Sequence, residues 1–180
     1  PEFNPDAEFN GAVTLTMQTS DGGFTGTGDE QITTTTATIT VDAVNDAPVN
    51  TLPDFTVDED TALALSGLAI EDDADETAAN EVTVVLSVDS GALTATDDGG
   101  EAVAVSGGAG TDTPGTLTLV GTLADLNTYL SASAPEFNPD AEFNGAVTLT
   151  MQTSDGGFTG TGDEQITTTT ATITVDAVND

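Results

Sequence analysis

Oxygen donors crowd the stretch Asp42-Ala43-Val44-Asn45-Asp46-Ala47-Pro48-Val49-Asn50, and the same letters return at Asp176-Ala177-Val178-Asn179-Asp180. Pro48 has no backbone N–H, so strand pairing stops there. Further acids gather at Asp58-Glu59-Asp60, at Glu71-Asp72-Asp73-Ala74-Asp75-Glu76 and at Asp97-Asp98. The chain carries 32 Asp and Glu and no Lys, Arg or His. Two carboxylates about 4 Å apart repel by roughly 4 kcal/mol at an effective dielectric near 20. Clustered acids without basic partners therefore need cations, protons or distance. A purely solubilising surface would spread them evenly. Hard oxygen donors with no Cys or His favour Ca2+ over zinc or copper. Alternate residues of an extended Asp73-Ala74-Asp75 segment point the same way, and a turn can converge them on one ion. Asn45 adds a neutral carbonyl, which limits repulsion in an empty site. We read the junction as a calcium-binding hinge between tandem β-sandwiches.

The charge also excludes function classes. Nucleic acid and anionic membrane would both be repelled, and no apolar run is long enough to span a bilayer. Without Cys, disulfides are not the stabilising device; an extracellular protein can use calcium instead. Catalysis lacks its usual side chains, because no His, Cys, Lys or Arg supplies a base, nucleophile or oxyanion clamp. Carboxylate pairs of the glycosidase kind occur in any acidic chain, and nothing here sets one in an aromatic groove. The expectation is that the protein is not an enzyme.

Residues 1–46 repeat, letter for letter, as residues 135–180, an offset of 134. The expected organisation is the C-terminal part of one repeat, 1–46, followed by one complete repeat, 47–180. Such identity points to a tandem array, and a start at Pro1-Glu2 reads as an excised internal piece. The complete repeat reads as all-β. Leu63 and Leu65 alternate with small residues, as do Val82, Val84, Leu86 and Val88. Val103 and Val105, Leu117 and Leu119, and Val147, Leu149 and Met151 predict further strands, and Ala171, Ile173 and Val175 the last. Ile166 has the opposite parity, which predicts a bulge or a change of face within Thr167–Thr170. Leu123, Leu126 and Leu130 keep helical spacing behind Thr122 and Asp125, predicting a short capped helix over Leu123–Ser131. Phe143-Asn144-Gly145 predicts an anchor and a tight turn. Phe137, Phe143 and Phe158 are expected as core or edge plugs. Seven or more short strands suggest an immunoglobulin-like sandwich.

The repeat resembles the cadherin-like tandem repeats of large bacterial RTX-type surface adhesins. The resemblance rests on Val44-Asn45-Asp46-Ala47-Pro48, Val57-Asp58-Glu59-Asp60-Thr61, Leu65-Ser66-Gly67-Leu68, Asp73-Ala74-Asp75, Leu123-Ala124-Asp125-Leu126, Phe143-Asn144-Gly145 and Ser154-Asp155-Gly156-Gly157. It implies an immunoglobulin/cadherin-like β-sandwich, exported by type I secretion to the bacterial cell surface, with Ca2+ between successive domains. It implies that Asp42, Asn45 and Asp46 supply linker ligands. Asp73 and Asp75 would come from the following domain, with Asp72 as a substitute, and Asp155 would join them. Glu59 would serve the far end with Asp176, Asn179 and Asp180. The chain departs from the cadherin pattern in having no Asp-Arg-Glu motif.

The implied function is a calcium-stiffened extender that projects a distal binding domain for adhesion or biofilm formation. Its partners would be adjacent identical repeats. The alternative is a calcium-dependent glycan-binding or homotypic adhesion module, against which the absence of Trp and the single Tyr count. Two motifs fail. Gly107-Gly108-Ala109-Gly110-Thr111-Asp112 matches a calcium β-roll repeat in one copy only, and Asp73-Ala74-Asp75-Glu76-Thr77 lacks the central Gly of an EF-hand. Finally, either copy of the duplicated segment could complete residues 47–134. Strand exchange between molecules through 1–46, or a permuted unit in which 1–46 packs on 47–134, is expected.

Overall fold

The computed structural model describes residues 1–24, 26–72, 80–95, 103–107 and 115–179. The predicted contributions of Asp73, Asp75, Asp97, Asp98, Asp180 and the glycine loop 108–112 lie outside the described residues. The chain divides into two units, Pro1–Val44 and Asn45–Asp180.

The first unit is built on a hairpin. Strands β1 (Gly11–Ser20) and β2 (Ile32–Val41) pair antiparallel, with Gly11 opposite Val41 and Ser20 opposite Ile32. Thr, Val and Ile dominate both strands, and such β-branched chains fit a pleated ribbon.

The second unit is an all-β sandwich with one short helix. Its strands are β3 (Val49–Thr51), β4 (Phe55–Asp58), β5 (Leu63–Ala64), β6 (Ala69–Glu71), β7 (Val82–Val88), β8 (Ala92–Thr94) and β9 (Val103–Gly107). They continue with β10 (Thr116–Gly121), β11 (Glu136–Asn138), β12 (Gly145–Ser154) and β13 (Ile166–Asp176), with α1 (Leu123–Ala132) before β11. One sheet runs β4-β13-β12-β7-β10-β9, a second β5-β11-β8, and β3 pairs with β6. Among the described residues all pairs are antiparallel except β13 with β4. The period-2 faces predicted from sequence point inward: Val82, Val84, Leu86, Leu117, Leu119, Leu149 and Ile173 are each fully buried. Phe137 and Leu93 of the small sheet close the other side of the same core.

Helix α1 forms where the leucine spacing placed it, ending one residue later than predicted. Thr122 sits in extended backbone and accepts from the Asp125 N–H at 3.2 Å, while its hydroxyl donates to Asp125 Oδ2 at 2.6 Å. Leu126, Tyr129 and Leu130 are buried beneath the helix. Asn127 fastens it to β6, donating to the Ile70 carbonyl at 2.8 Å and accepting from the Ile70 N–H at 2.9 Å.

Four expectations are corrected. The β13 register against β12 is unbroken from Ile166 to Val175, so there is no bulge; Ile166 stands on the outer face, 55% exposed. Phe158 is also exposed, at 59%, lying over Gly156 rather than plugging the core. The tight turn before β12 lies at Asp140–Phe143, where the Phe143 N–H reaches the Asp140 carbonyl and Glu142 takes φ 58°. And the permuted unit is not adopted: the edges of β7 and β4 hold β12 and β13, so 135–180 is the copy that completes the sandwich.

Candidate functional site

β13 is 11 residues long, so its two ends lie roughly 33 Å apart. Oxygen-rich groups collect at each end, and each set ties a chain-entry or chain-exit segment to the sandwich.

At the first end the β12–β13 loop folds around Asp155. Oδ1 of Asp155 accepts from the Gly157 N–H at 2.8 Å and the Gln165 N–H at 2.9 Å, closing the loop on itself. Gly157 has φ 69°, and a Cβ there would stand 2.7 Å from the Glu164 nitrogen, so only Gly fits. Asn45 enters this loop from the linker. Its Nδ2 donates to Asp155 Oδ2 at 2.8 Å and to the Asp163 carbonyl at 3.0 Å. Its Oδ1 accepts from the Thr159 hydroxyl, and its backbone N–H reaches the Thr161 carbonyl at 3.2 Å. Asn45 and Asp155 are both buried, at 7% and 3% exposure. Asn45 acts here as a donor to Asp155, a latch between linker and loop. Five residues on, Asn50 of β3 extends the attachment. It donates to the Met151 and Thr167 carbonyls and accepts from Thr153 at 2.7 Å. β6 runs antiparallel to β3 with Glu71 opposite Val49, so the chain leaves β6 at Asp72 heading toward Asn45. Asp72 is half-buried and Asp46 exposed.

At the second end Glu59 follows β4 and is 8% exposed. Its N–H donates to the Asp176 carbonyl at 2.8 Å, and its Oε1 accepts from the Val178 N–H at 2.7 Å. Asn144 Nδ2 donates to Oε2 at 3.4 Å. Glu59 thus fastens the segment leaving β13. Asp58 lies opposite Asp176 in the parallel register, and both side chains are exposed beside buried Val57 and Val175. The two backbones stand one strand spacing apart there, about 5 Å, with both side chains on the outer face. Asp60, at φ 59°, accepts from the Glu142 N–H at 3.2 Å beside them.

The structure brings Asn45 to Asp155 and Glu59 to Asp176, and it carries Asp72 toward the first end. Asn179 is exposed beyond β13, and Asp42 belongs to the first unit. Among the described residues no three acidic side chains converge into a metal cage. Asp58, Asn144, Asn50 and Thr159 were not assigned from sequence. Asp58 stood in a noticed acid cluster; the other three act through long-range contacts that leave no local signal.

The first unit repeats the loop chemistry. Asp21 Oδ1 accepts from Gly23 N–H at 2.9 Å and Gln31 N–H at 3.0 Å, as Asp155 does. These two N–H donors, Gln31 foremost, hold the Asp21 carboxyl below the usual 3.8. Asp89 is lowered likewise, by the Thr148 N–H that donates to it at 2.9 Å.

No family model matches the chain, and no curated protein does. Solved structures that share its β-rich architecture include a cohesin module from a Clostridium perfringens ATCC13124 family 33 glycoside hydrolase. That match has 13% identity and a TM-score of 0.40, covering 73% of this chain and 98% of the module. Domains 1–6 of the surface layer protein SbsC match at 13% identity and TM-score 0.31, covering 95% of this chain and 17% of that one. SbsC domains 4 and 5 match at 13% identity and TM-score 0.28, covering 89% and 70%. Likenesses this distant do not extend to function.

Proposed function

We propose that the protein is a structural extender repeat of a secreted bacterial surface adhesin, stiffened by calcium where successive repeats meet. The observation that carries the reading is the placement of the two attachments. Asn45 latches the entering segment at one end of the β12–β13 pair, and Glu59 holds the departing segment at the other. Entry and exit at opposite poles is the arrangement an extender needs. The letters around both attachments are those of one duplicated junction.

The donor set suits Ca2+, being oxygen throughout. Asp155 and Glu59 already spend oxygens on N–H and amide donors. The ions would therefore be held chiefly by Asp46, Asp72, Asp73 and Asp75 at the first junction. Asp58 and Asp176 would hold them at the second. A bound ion supplies positive charge to groups that otherwise repel. The test is calorimetry and small-angle scattering of the whole chain in excess calcium and in chelator. An ion bound only by the folded state at a hundredfold excess over its Kd adds about 2.7 kcal/mol. The melting temperature should fall on chelation, and Asp46→Ala with Asp75→Ala should remove most of that response. Identical melting and scattering in both buffers would end the calcium reading.

A further inference from the structure

The same 46 residues occur twice in this chain, and the structure holds them in two environments. The β1–β2 and β12–β13 hairpins have equivalent registers, Gly11 opposite Val41 and Gly145 opposite Val175. In the second hairpin Leu149 and Met151 are 0% exposed, and Phe137 just before it is 0%. Their counterparts in the first are Leu15 at 55%, Met17 at 60% and Phe3 at 43%. What separates the two is one segment, residues 45–134, which lays β7 along β12 and β4 along β13. The first hairpin therefore carries an apolar face and two strand edges whose complement is fully specified.

We propose that this face is a docking surface for residues 45–134 of a second copy of the chain. The hairpin would take the seat that the second copy's own residues 135–180 otherwise fill. Its own segment cannot take the seat and keep the Asn45 latch. In the seat, Val41 would replace Val175 beside Val57, at the Glu59 end. Asn45 is fixed at the Asp155 end, nine residues back along β13, about 30 Å away. The four residue steps from Val41 to Asn45 reach at most about 14 Å. An exchange that re-forms every contact, the Asn45 latch included, is therefore intermolecular and head-to-tail, and it joins chains in the order that covalent repeats would have.

Both hairpins have one sequence, so a filled seat gains the same contacts from either. The competition is then between tethering and concentration. A short tether gives the resident hairpin an effective concentration on the order of millimolar. Refolding at about a tenth of that should leave roughly a tenth of seats exchanged. The net charge of −32 on each chain opposes approach, so the test belongs in high salt, where the Debye length falls to about 3 Å.

Two experiments on the whole chain decide it. Thr150 lies opposite Ser87, and Thr16 is the copy of Thr150. The chain has no Cys, so T16C with S87C bridges only where the first hairpin takes the seat, and a ladder shows that the seat belongs to another molecule. After refolding at high concentration and oxidation it should give a ladder of disulfide-linked oligomers. T150C with S87C should close within the monomer. Exclusively monomeric T16C/S87C, whether reduced or internally bridged, would overturn the proposal. Separately, Leu149→Ala with Met151→Ala weakens the resident hairpin by at least about a thousandfold. Sedimentation should show that variant as oligomers, with Leu15→Ala and Met17→Ala added on top abolishing them. A monomer in both cases would equally overturn it. Neither outcome depends on calcium, so failure here leaves the extender reading standing, and the reverse.

Discussion

Replacing Asn45 by Ala removes the side-chain part of the latch and leaves the backbone bond to the Thr161 carbonyl in place. The amide donates to the Asp155 carboxylate and to the Asp163 carbonyl and accepts from Thr159, all in a buried setting. A hydrogen bond to a charged group contributes about 1.5–3 kcal/mol, and each neutral one about 1 kcal/mol. Part of the loss is recovered as the loop admits water, leaving a penalty of about 3 kcal/mol. For a unit of this size that is a fall of roughly 10 °C in melting temperature. Asn45→Asp sharpens the test, because it sets one carboxylate against another and adds repulsion of roughly 4 kcal/mol at close range. The measurement is calorimetry of the whole chain in chelator, where no ion can compensate. Asn45→Asp should melt below Asn45→Ala, and added calcium should narrow the gap. If Asn45→Ala melts within about 2 °C of the parent, the amide is a bystander and the reasoning fails.

Three further outcomes are expected. Leu149→Ala should cost about 2–5 kcal/mol, while Leu15→Ala, the same letter in the same local sequence, should change thermal stability by less than about 0.5 kcal/mol. Gly91→Ala should destabilise by more than an exposed Gly→Ala change, as seen by denaturant melts, because φ is 81° and a Cβ would stand 2.7 Å from the Asn138 carbonyl. Asp89 and Asp21 have folded-state carboxyls held below 3.8, so the stability they contribute is present above that pH. It is lost as the pH falls through their folded values. Carboxyl NMR titration should place both midpoints below 3.8, and Asp89→Asn should flatten the acid limb of the stability curve.

Much of the sandwich was legible because its strands obey a period of two with one wet and one dry face. Val82-Thr83-Val84-Val85-Leu86 shows this plainly, and buried residues sit where alternation put them. The helix was legible from Thr122, Asp125 and three leucines, since caps and spacing are local. Ile166 was misread because an exposed β-branched residue at a strand's start needs no bulge; it simply faces out. The turn at Asp140–Phe143 was missed because Glu142, not Gly, takes the left-handed backbone. The attachments were half visible. The resemblance puts Asn45 and Asp155 at one junction, and in the structure a direct amide–carboxylate bond joins them. Asn50, Asn127 and Asn144 act across 57 to 117 residues of sequence, and nothing local to an asparagine tells which distant backbone it will meet.

The parallel pair of β4 and β13 has a consequence for strength. β4 lies early in the second unit and β13 last, side by side and pointing the same way over Phe55–Asp58 and Ile173–Asp176. Tension drawn through the unit's two poles slides these strands past each other, so their hydrogen bonds are strained together in shear. Antiparallel neighbours such as β12 and β13 would, if pulled from their open end, peel one rung at a time. Resistance to tearing is thus set by which strands are neighbours, before any ion is added.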